Sequence, residues 1–431
     1  MEVYSDIIKN ELNVDCLSMK FTQRTTHNPS IIETVGFIRH DEKGRLVFRA
    51  ISIANAKSSI EKIILNSYTL EPGHIKPESD YFDIEAIDIF GRIWTSERIE
   101  CSADVNVELN SAVILGYLNN LLLTRKVANH KSCSLITVCK KPLYLSFDFH
   151  EGDVFSISVK DVEYNLSLSE GLLHISFGFN LHEDCTIYES AIINGLSVLM
   201  GARVEVLYTR KIIYDNEILS VNRKPYKSQG RLLKPLGCIS ESGIGNMKHF
   251  LTLFCEKYVS GELYELYGFW HKLFSVSNGM IEAKSLTCGV VLEGVIKKYY
   301  HDRFAIDDVA MQCVHETELL LKDIEFDKQI KSRLIGALSN YKNKSPRTVM
   351  LEVCKELSIP TKLVSIWNDM RNKAAHASDI DMSDAEFEKA ITYYNSCVYL
   401  FYRLFFDVIG YSGSCINYSL SKFIKIELKA A

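Results

Sequence analysis

Arg371, Asn372 and His376 place a permanent cation, a polar amide and a titratable imidazole within six residues of chain. The arginine offers a planar fork of donors that matches phosphate oxygens. Histidine is the side chain whose ordinary pKa, about 6.5, lets it give or take a proton near neutrality. Together they are the minimum needed to cleave a phosphodiester without a metal, one group taking up charge on the phosphorane and one moving the proton. On a continuous helix the five-residue offset leaves the two about 140° apart, so one straight face cannot present both. They converge only where the helix frays or turns, and the polar run Ala377-Ser378-Asp379-Ile380-Asp381-Met382 predicts that at His376.

Spacing alone carries little weight, because Arg125-Lys126-Val127-Ala128-Asn129-His130 repeats it. Judged on spacing, the plainer outcome is an ion-paired arginine at a helix edge and a histidine favoured by the helix C-terminal dipole. The surroundings separate the two copies. Ahead of Arg371, Leu363, Ile366, Trp367, Met370 and Ala374 form one apolar stripe, behind the helix-start signal Ser358-Ile359-Pro360. After His376, Ser383-Asp384-Ala385-Glu386 reads as a capping box. It opens a helix of about seven turns through Phe387, Ile391, Tyr394, Val398, Phe401, Leu404, Phe405 and Val408, which Gly410 ends. Arg125 has no such capped helix behind it and sits in the β-rich half, so it is a decoy.

The elements around these residues divide the chain. Residues 246–275 and 278–301 show helical apolar spacing, the second with Glu293 among Val290, Leu292, Val295 and Ile296. Shorter helices are expected over 325–341 and 346–357. The first half alternates instead. Residues 34–53 read as a hairpin about Asp41-Glu42-Lys43-Gly44. Period-2 runs follow at Leu143–Phe149, Phe155–Val159 and Leu173–Phe179, and they predict an antiparallel sheet with one buried face. Two helices are expected to interrupt it, over 109–124 and from Tyr188 to Met200. Between the halves, Asn222–Gly237 holds five cations, two prolines and no acid, and reads as a solvated linker or a phosphate-contacting arm. The fold class is therefore α+β, with a β-rich N-terminal domain over 1–235 and an all-α bundle over 240–431.

Bulk properties exclude several classes. The chain has 431 residues, 47% of them hydrophobic, and a formal charge of -5, which argues against a generally basic nucleic-acid binder. RNA contact would need a local patch, such as Lys331, Arg333, Lys342, Lys344 and Arg347, whose plainer reading is solvated helix faces. Twelve scattered cysteines without a CxxC pair suggest reduced thiols in a cytoplasmic protein and no zinc site. The apolar run Ile391–Gly410 contains Arg403 and Asp407, so a core helix is expected and no membrane span. No cofactor fingerprint is complete; Gly243-Ile244-Gly245 follows no strand, and it and His150 read as structural.

The helix carrying Glu293, the variable helical middle, Arg371-Asn372 followed by His376, and the long apolar helix together resemble the HEPN superfamily of ribonucleases. Gly410-Tyr411-Ser412-Gly413 and Leu292-Glu293 look most like its Apea-like branch, found in bacterial anti-phage abortive-infection proteins. The β-rich half resembles the N-terminal domain of that branch in architecture only. The resemblance implies a metal-independent endoribonuclease in which the 2′-hydroxyl attacks the neighbouring phosphate. Arg371 would stabilise the phosphorane, His376 would act as acid or base, and Asn372 would position the histidine or a phosphate oxygen. It also implies an RNA substrate (transfer RNA is the family's suggestion), a homodimer or higher homo-oligomer, and a phage-derived trigger bound by the N-terminal domain. The alternative is a catalytically idle bundle that serves for binding or dimerisation.

Overall fold

The computed structural model describes residues 2–53, 75–106, 111–127, 133–140, 152, 154–180, 182, 184–222, 230–236, 241–304, 308–325, 327–341, 344–375 and 383–428. The chain forms two compact units, one of residues 1–190 with 204–228 and the other of residues 191–203 with 229–431. The architecture is mixed, with helices concentrated in the C-terminal half. No described helix is long and apolar enough to cross a membrane.

The first unit opens with helix α1 (Glu2–Lys9) and then builds one antiparallel sheet. Its strands are β1 (Asn13–Gln23), β2 (Ile31–His40), β3 (Leu46–Ile53), β4 (Phe82–Asp88), β5 (Ile93–Asn106), β6 (Ser111–Tyr117) and β7 (Asn120–Lys126). They continue with β8 (Cys133–Lys140), β9 (Val154–Val159), β10 (Val162–Ser169), β11 (Leu172–Phe179), β12 (Val206–Ile213) and β13 (Asn216–Asn222). The spatial order is β4-β1-β2-β3-β6-β5-β7-β13-β12-β8-β11-β10-β9, and β4 also pairs with β5. That extra pairing closes β1 to β6 into a six-stranded barrel, and the remaining strands extend from β5 as a wing. The barrel encloses Phe21, Ile38, Phe48, Trp94 and Ile114. A bulge in β1 between Cys16 and Met19 resets the alternation, so both residues point inward although three positions apart. At the β4–β5 turn the buried Asp88 accepts the Trp94 indole N–H at 2.9 Å. Burial would raise the Asp88 carboxyl, but hydrogen bonds from Trp94, Arg92 and the Phe90 amide outweigh it and hold the pKa below the usual range.

The expected hairpin over 34–53 is β2–β3, and the alternating runs at Phe155 and Leu173 are β9 and β11. The run from Leu143 to Phe149 lies outside the described residues. The helix expected over 109–124 is instead β6 and β7, which sit on either side of β5. Ile114, Leu118 and Leu121 are buried at spacings of four and three, which imitates a helix. The imitation arises where the phase of one strand ends and that of the next begins.

Helix α2 (Cys185–Met200) counts with the first unit through Ser190 and with the second from Ala191. The second unit continues with α3 (Glu241–Val259), α4 (Tyr264–Ser275), α5 (Ile281–Tyr299), α6 (Asp308–Asp323), α7 (Lys328–Tyr341), α8 (Pro346–Glu356), α9 (Lys362–Ala375) and α10 (Asp384–Ile409). Gly261, at φ +85°, stands between α3 and α4 and breaks the helical pattern of 246–275 into two helices. The second unit is not all-α: β14 (Gly413–Asn417) and β15 (Ile424–Leu428) pair antiparallel after α10. Residues 230–236 are not a solvated linker either. Leu232 and Leu236 are buried, and the Leu233 and Lys234 carbonyls each accept a tyrosine hydroxyl, from Tyr402 and Tyr418, at 2.6 Å. Arg223, Lys224 and Lys227 lie outside the described residues.

Candidate active site

Arg371 and Asn372 lie near the C-terminal end of α9. That helix buries Leu363, Val364, Trp367 and Met370, a stripe at helical spacing that packs it against α5 and α10. Its depth is fixed at one crossing. The Trp367 indole N–H donates to the Gly289 carbonyl of α5 at 3.1 Å, with both partners in the core. A Cβ on Gly289 would lie 3.3 Å from the Arg371 Cβ, so a side chain there would press on the arginine's stem. Glycine inside a helix is costly and calls for a packing reason, which this crossing supplies.

One turn along α5 from Gly289, Glu293 meets the arginine head, with Arg371 Nη1 at 2.9 Å from Glu293 Oε2. Lys297, a further turn on, reaches the other oxygen of Glu293 at 2.7 Å. The carboxylate is 18% exposed and the arginine side chain 42% exposed. This is two cations about one carboxylate, open to solvent on the arginine side. A partly exposed pair of this kind contributes about 0.5 kcal/mol and exchanges readily for another anion. Asn372 is exposed. His376 lies outside the described residues, one position beyond the last residue of α9.

The long helix α10 bears the expected capping box. The Ser383 side chain accepts from the Glu386 backbone and the Glu386 side chain returns to the Ser383 N–H at 3.2 Å. Gly410, at φ +76°, closes the helix in the left-handed conformation. Tyr300, just past α5, donates to Asp407 of α10 at 2.8 Å, and burial together with that carboxylate raises its phenol well above the ordinary value. The end of α5 is thereby tied to α10, and Glu293 stands on a braced helix.

Arg125 has a different setting. It lies in β7 and donates through Nε at 3.0 Å and Nη2 at 2.8 Å to Glu217 of β13, which is 0% exposed. Arg210 takes the other Glu217 oxygen at 2.9 Å, and the Tyr4 hydroxyl donates to the first at 2.6 Å. Burial would raise the Glu217 carboxyl, but Tyr4 and the two arginines outweigh it and hold the pKa below the usual range. Burial, and then Glu217, push the Tyr4 phenol up to about 12. This cluster fastens α1 to the sheet. His130 lies outside the described residues.

Two cations of the expected RNA-holding stretch are engaged within the chain. Lys331 donates to the Lys322 carbonyl at the end of α6 at 2.6 Å, and Lys344 donates to both oxygens of Glu352 at 2.9 and 3.0 Å. Arg333 and Arg347 are exposed, and Lys342 lies outside the described residues. Sequence reasoning named Glu293 but not its partnership with Arg371. The usable signals were the i,i+4 pair Glu293–Lys297 and the unexplained glycine four residues before Glu293. Among the described residues no group of three histidine, cysteine, aspartate or glutamate side chains could hold a metal ion. Compared with protein-family models, with curated proteins and with solved structures, the chain gives no match.

Proposed function

We propose that the second unit is a HEPN-type endoribonuclease of the Apea-like branch that cleaves RNA in anti-phage defence, with Arg371, Asn372 and His376 as its catalytic residues. The observation that carries the reading is a solvent-open arginine head held by Glu293 and by the Trp367–Gly289 crossing, with a histidine five residues on. In the proposed reaction the RNA 2′-oxygen attacks phosphorus and its proton passes to a general base. The bond from phosphorus to the 5′-oxygen breaks, and the leaving oxygen takes a proton from a general acid. The products are a 2′,3′-cyclic phosphate and a free 5′-hydroxyl.

Arg371 exchanges Glu293 for the non-bridging oxygens, on which negative charge grows in the transition state. Lys297 stays with Glu293, so the carboxylate is not left bare. His376 serves as base or acid, and Asn372 orients it or a phosphate oxygen. One imidazole cannot fill both roles in the same instant. Two copies of the motif facing one groove would supply both, which is the reason for a homodimer in this reading. The first unit, with its closed barrel, would bind the phage-derived trigger.

The test is cleavage of cellular RNA in excess chelator by the wild type, Arg371→Ala and His376→Ala, with end mapping of the products. The wild type should leave 5′-hydroxyl ends that a polynucleotide kinase labels, and both variants should lose cleavage. Equal cutting by the wild type and His376→Ala overturns the site. The ion pair itself favours a second reading, because an arginine neutralised by Glu293 suits an idle bundle used for binding. No cleavage by any variant, with all of them still associating, would establish that reading.

A further inference from the structure

Helices α6 and α7 pack on one another and make at most marginal contact with the other described elements. In an isolated pair, apolar residues should gather on the mutual face. Here they do so only in part. The mutual face of α6 is marked by the half-buried Val314 and Leu321, and that of α7 by Ile335 and Leu338. A second stripe stands in solvent. Val309 is 74% exposed and Leu320 65%, and the exposed Cys313 lies between them. On α7, Ile330, Leu334 and Tyr341 repeat at spacings of four and seven, all exposed, Tyr341 by 69%.

At about 100° per residue, each solvent stripe lies roughly a quarter turn from the mutual face of its helix, in the same angular sense. The two helices run in opposite directions, so equal rotations bring both stripes to the same side of the hairpin. One flank is therefore a continuous apolar strip two helices wide, of the kind that soluble chains leave bare only for a partner.

The charges say which partner. Helix α6 exposes Glu316 and Asp323 against Lys322, its Glu318 being buried, whereas α7 carries Lys328, Lys331 and Arg333 and no acid. We propose that this flank is an association surface for a second copy of the same chain. The two hairpins pack face to face about a two-fold axis parallel to their helices, so that the acidic α6 of each copy lies on the basic α7 of the other. The product is a four-helix bundle with self-complementary charge, in the isologous manner of two-fold dimers. The other two-fold arrangement, α6 on α6, would set like charges together. In the favoured one, Glu316 of one copy and Arg333 of the other stand on the same outer rim at nearly the same height. The surface is separate from Arg371 and does not depend on the ribonuclease reading.

Sedimentation velocity on the full chain tests it. Leu320→Asp and Ile330→Asp should each halve the wild-type mass, or raise the dissociation constant by at least about tenfold, without changing helix content. Glu316→Arg and Arg333→Glu should each weaken association, and the two changes combined should restore it, which a folding defect would not do. Alkylation of Cys313, read by peptide mass spectrometry, should slow as protein concentration rises. Arg371→Ala should leave the mass unchanged, so failure here and failure of the catalytic site are told apart. A wild type of single-chain mass at tens of micromolar, an unchanged mass for Leu320→Asp, or a charge swap that fails to restore association overturns the proposal.

Discussion

Arg125 and Arg371 share a local sequence pattern and a glutamate partner, and they differ in what each arginine is free to do. Glu217 is sealed from water, so its charge is tolerable only while Arg125, Arg210 and Tyr4 surround it. Glu293 keeps contact with water and has Lys297 as a second partner. Removing Arg371 from it exposes no buried charge. An arginine can serve a ligand only where its structural partner can do without it, and that property belongs to the glutamate rather than to the arginine. The motif pattern is blind to it.

The largest predicted separation is in catalysis. Arg371→Ala should lower the RNA cleavage rate by about 10²- to 10³-fold while changing unfolding free energy by less than about 1 kcal/mol. Arg125→Ala should do the reverse, keeping the rate and losing stability. Cleavage assays and denaturant titrations on both variants would merge the two arginines into one class if the effects did not cross over.

Next in size is Glu217→Gln, which should cost about 3 kcal/mol by leaving two arginines facing a neutral amide. It also has a pH signature. The Glu217 pKa in the folded chain lies below its ordinary 4.5, so its contribution is complete above that value and is lost as pH falls from 4.5 through the folded pKa. Relative to the intrinsic exchange rate at each pH, amide protection in peptides from β7 and β13 should therefore fall below pH 4.5 in the wild type, and the variant should show a flatter dependence there.

Gly289→Val should cost about 1–3 kcal/mol and displace the Arg371 stem, lowering cleavage more than it lowers melting temperature. Retained cleavage in a well-folded variant would show that the close crossing has no part in positioning the arginine. The smallest effect is expected from Glu293→Gln, with stability changed by less than about 1 kcal/mol. Its KM for RNA should fall, because phosphate no longer competes with a carboxylate for Arg371. A raised KM would instead make Glu293 part of the substrate site.

What could be read from the sequence follows from how many faces each element buries. β9 and β11 were legible because alternate residues such as Phe155 and Ile157 point inward while their neighbours do not. The capped helix α10 was legible because Ser383, Glu386 and Gly410 mark both of its ends. β6 and β7 were not, because two strands in different phase abut at Leu118. Barrel closure is invisible locally, since it depends on β4 meeting β5 with Ile87 opposite Ile93. At the candidate site, Arg371 and Asn372 were visible as residue types. The service of Gly289 and Glu293 to them was not, because it arises from a crossing between residues some eighty positions apart in the chain.

That crossing also gives the molecule an optical gauge. The chain has three tryptophans, Trp94, Trp270 and Trp367, all buried. The Trp367 indole bonds to the carbonyl of the glycine that packs on Arg371, so its emission reports on the helix contact that holds the arginine. With Trp94 and Trp270 replaced by phenylalanine, the remaining fluorophore should shift when a non-cleavable RNA analogue draws Arg371 away from Glu293. The same shift should be absent in Arg371→Ala. Occupancy of the site could then be followed in real time without labelling either partner.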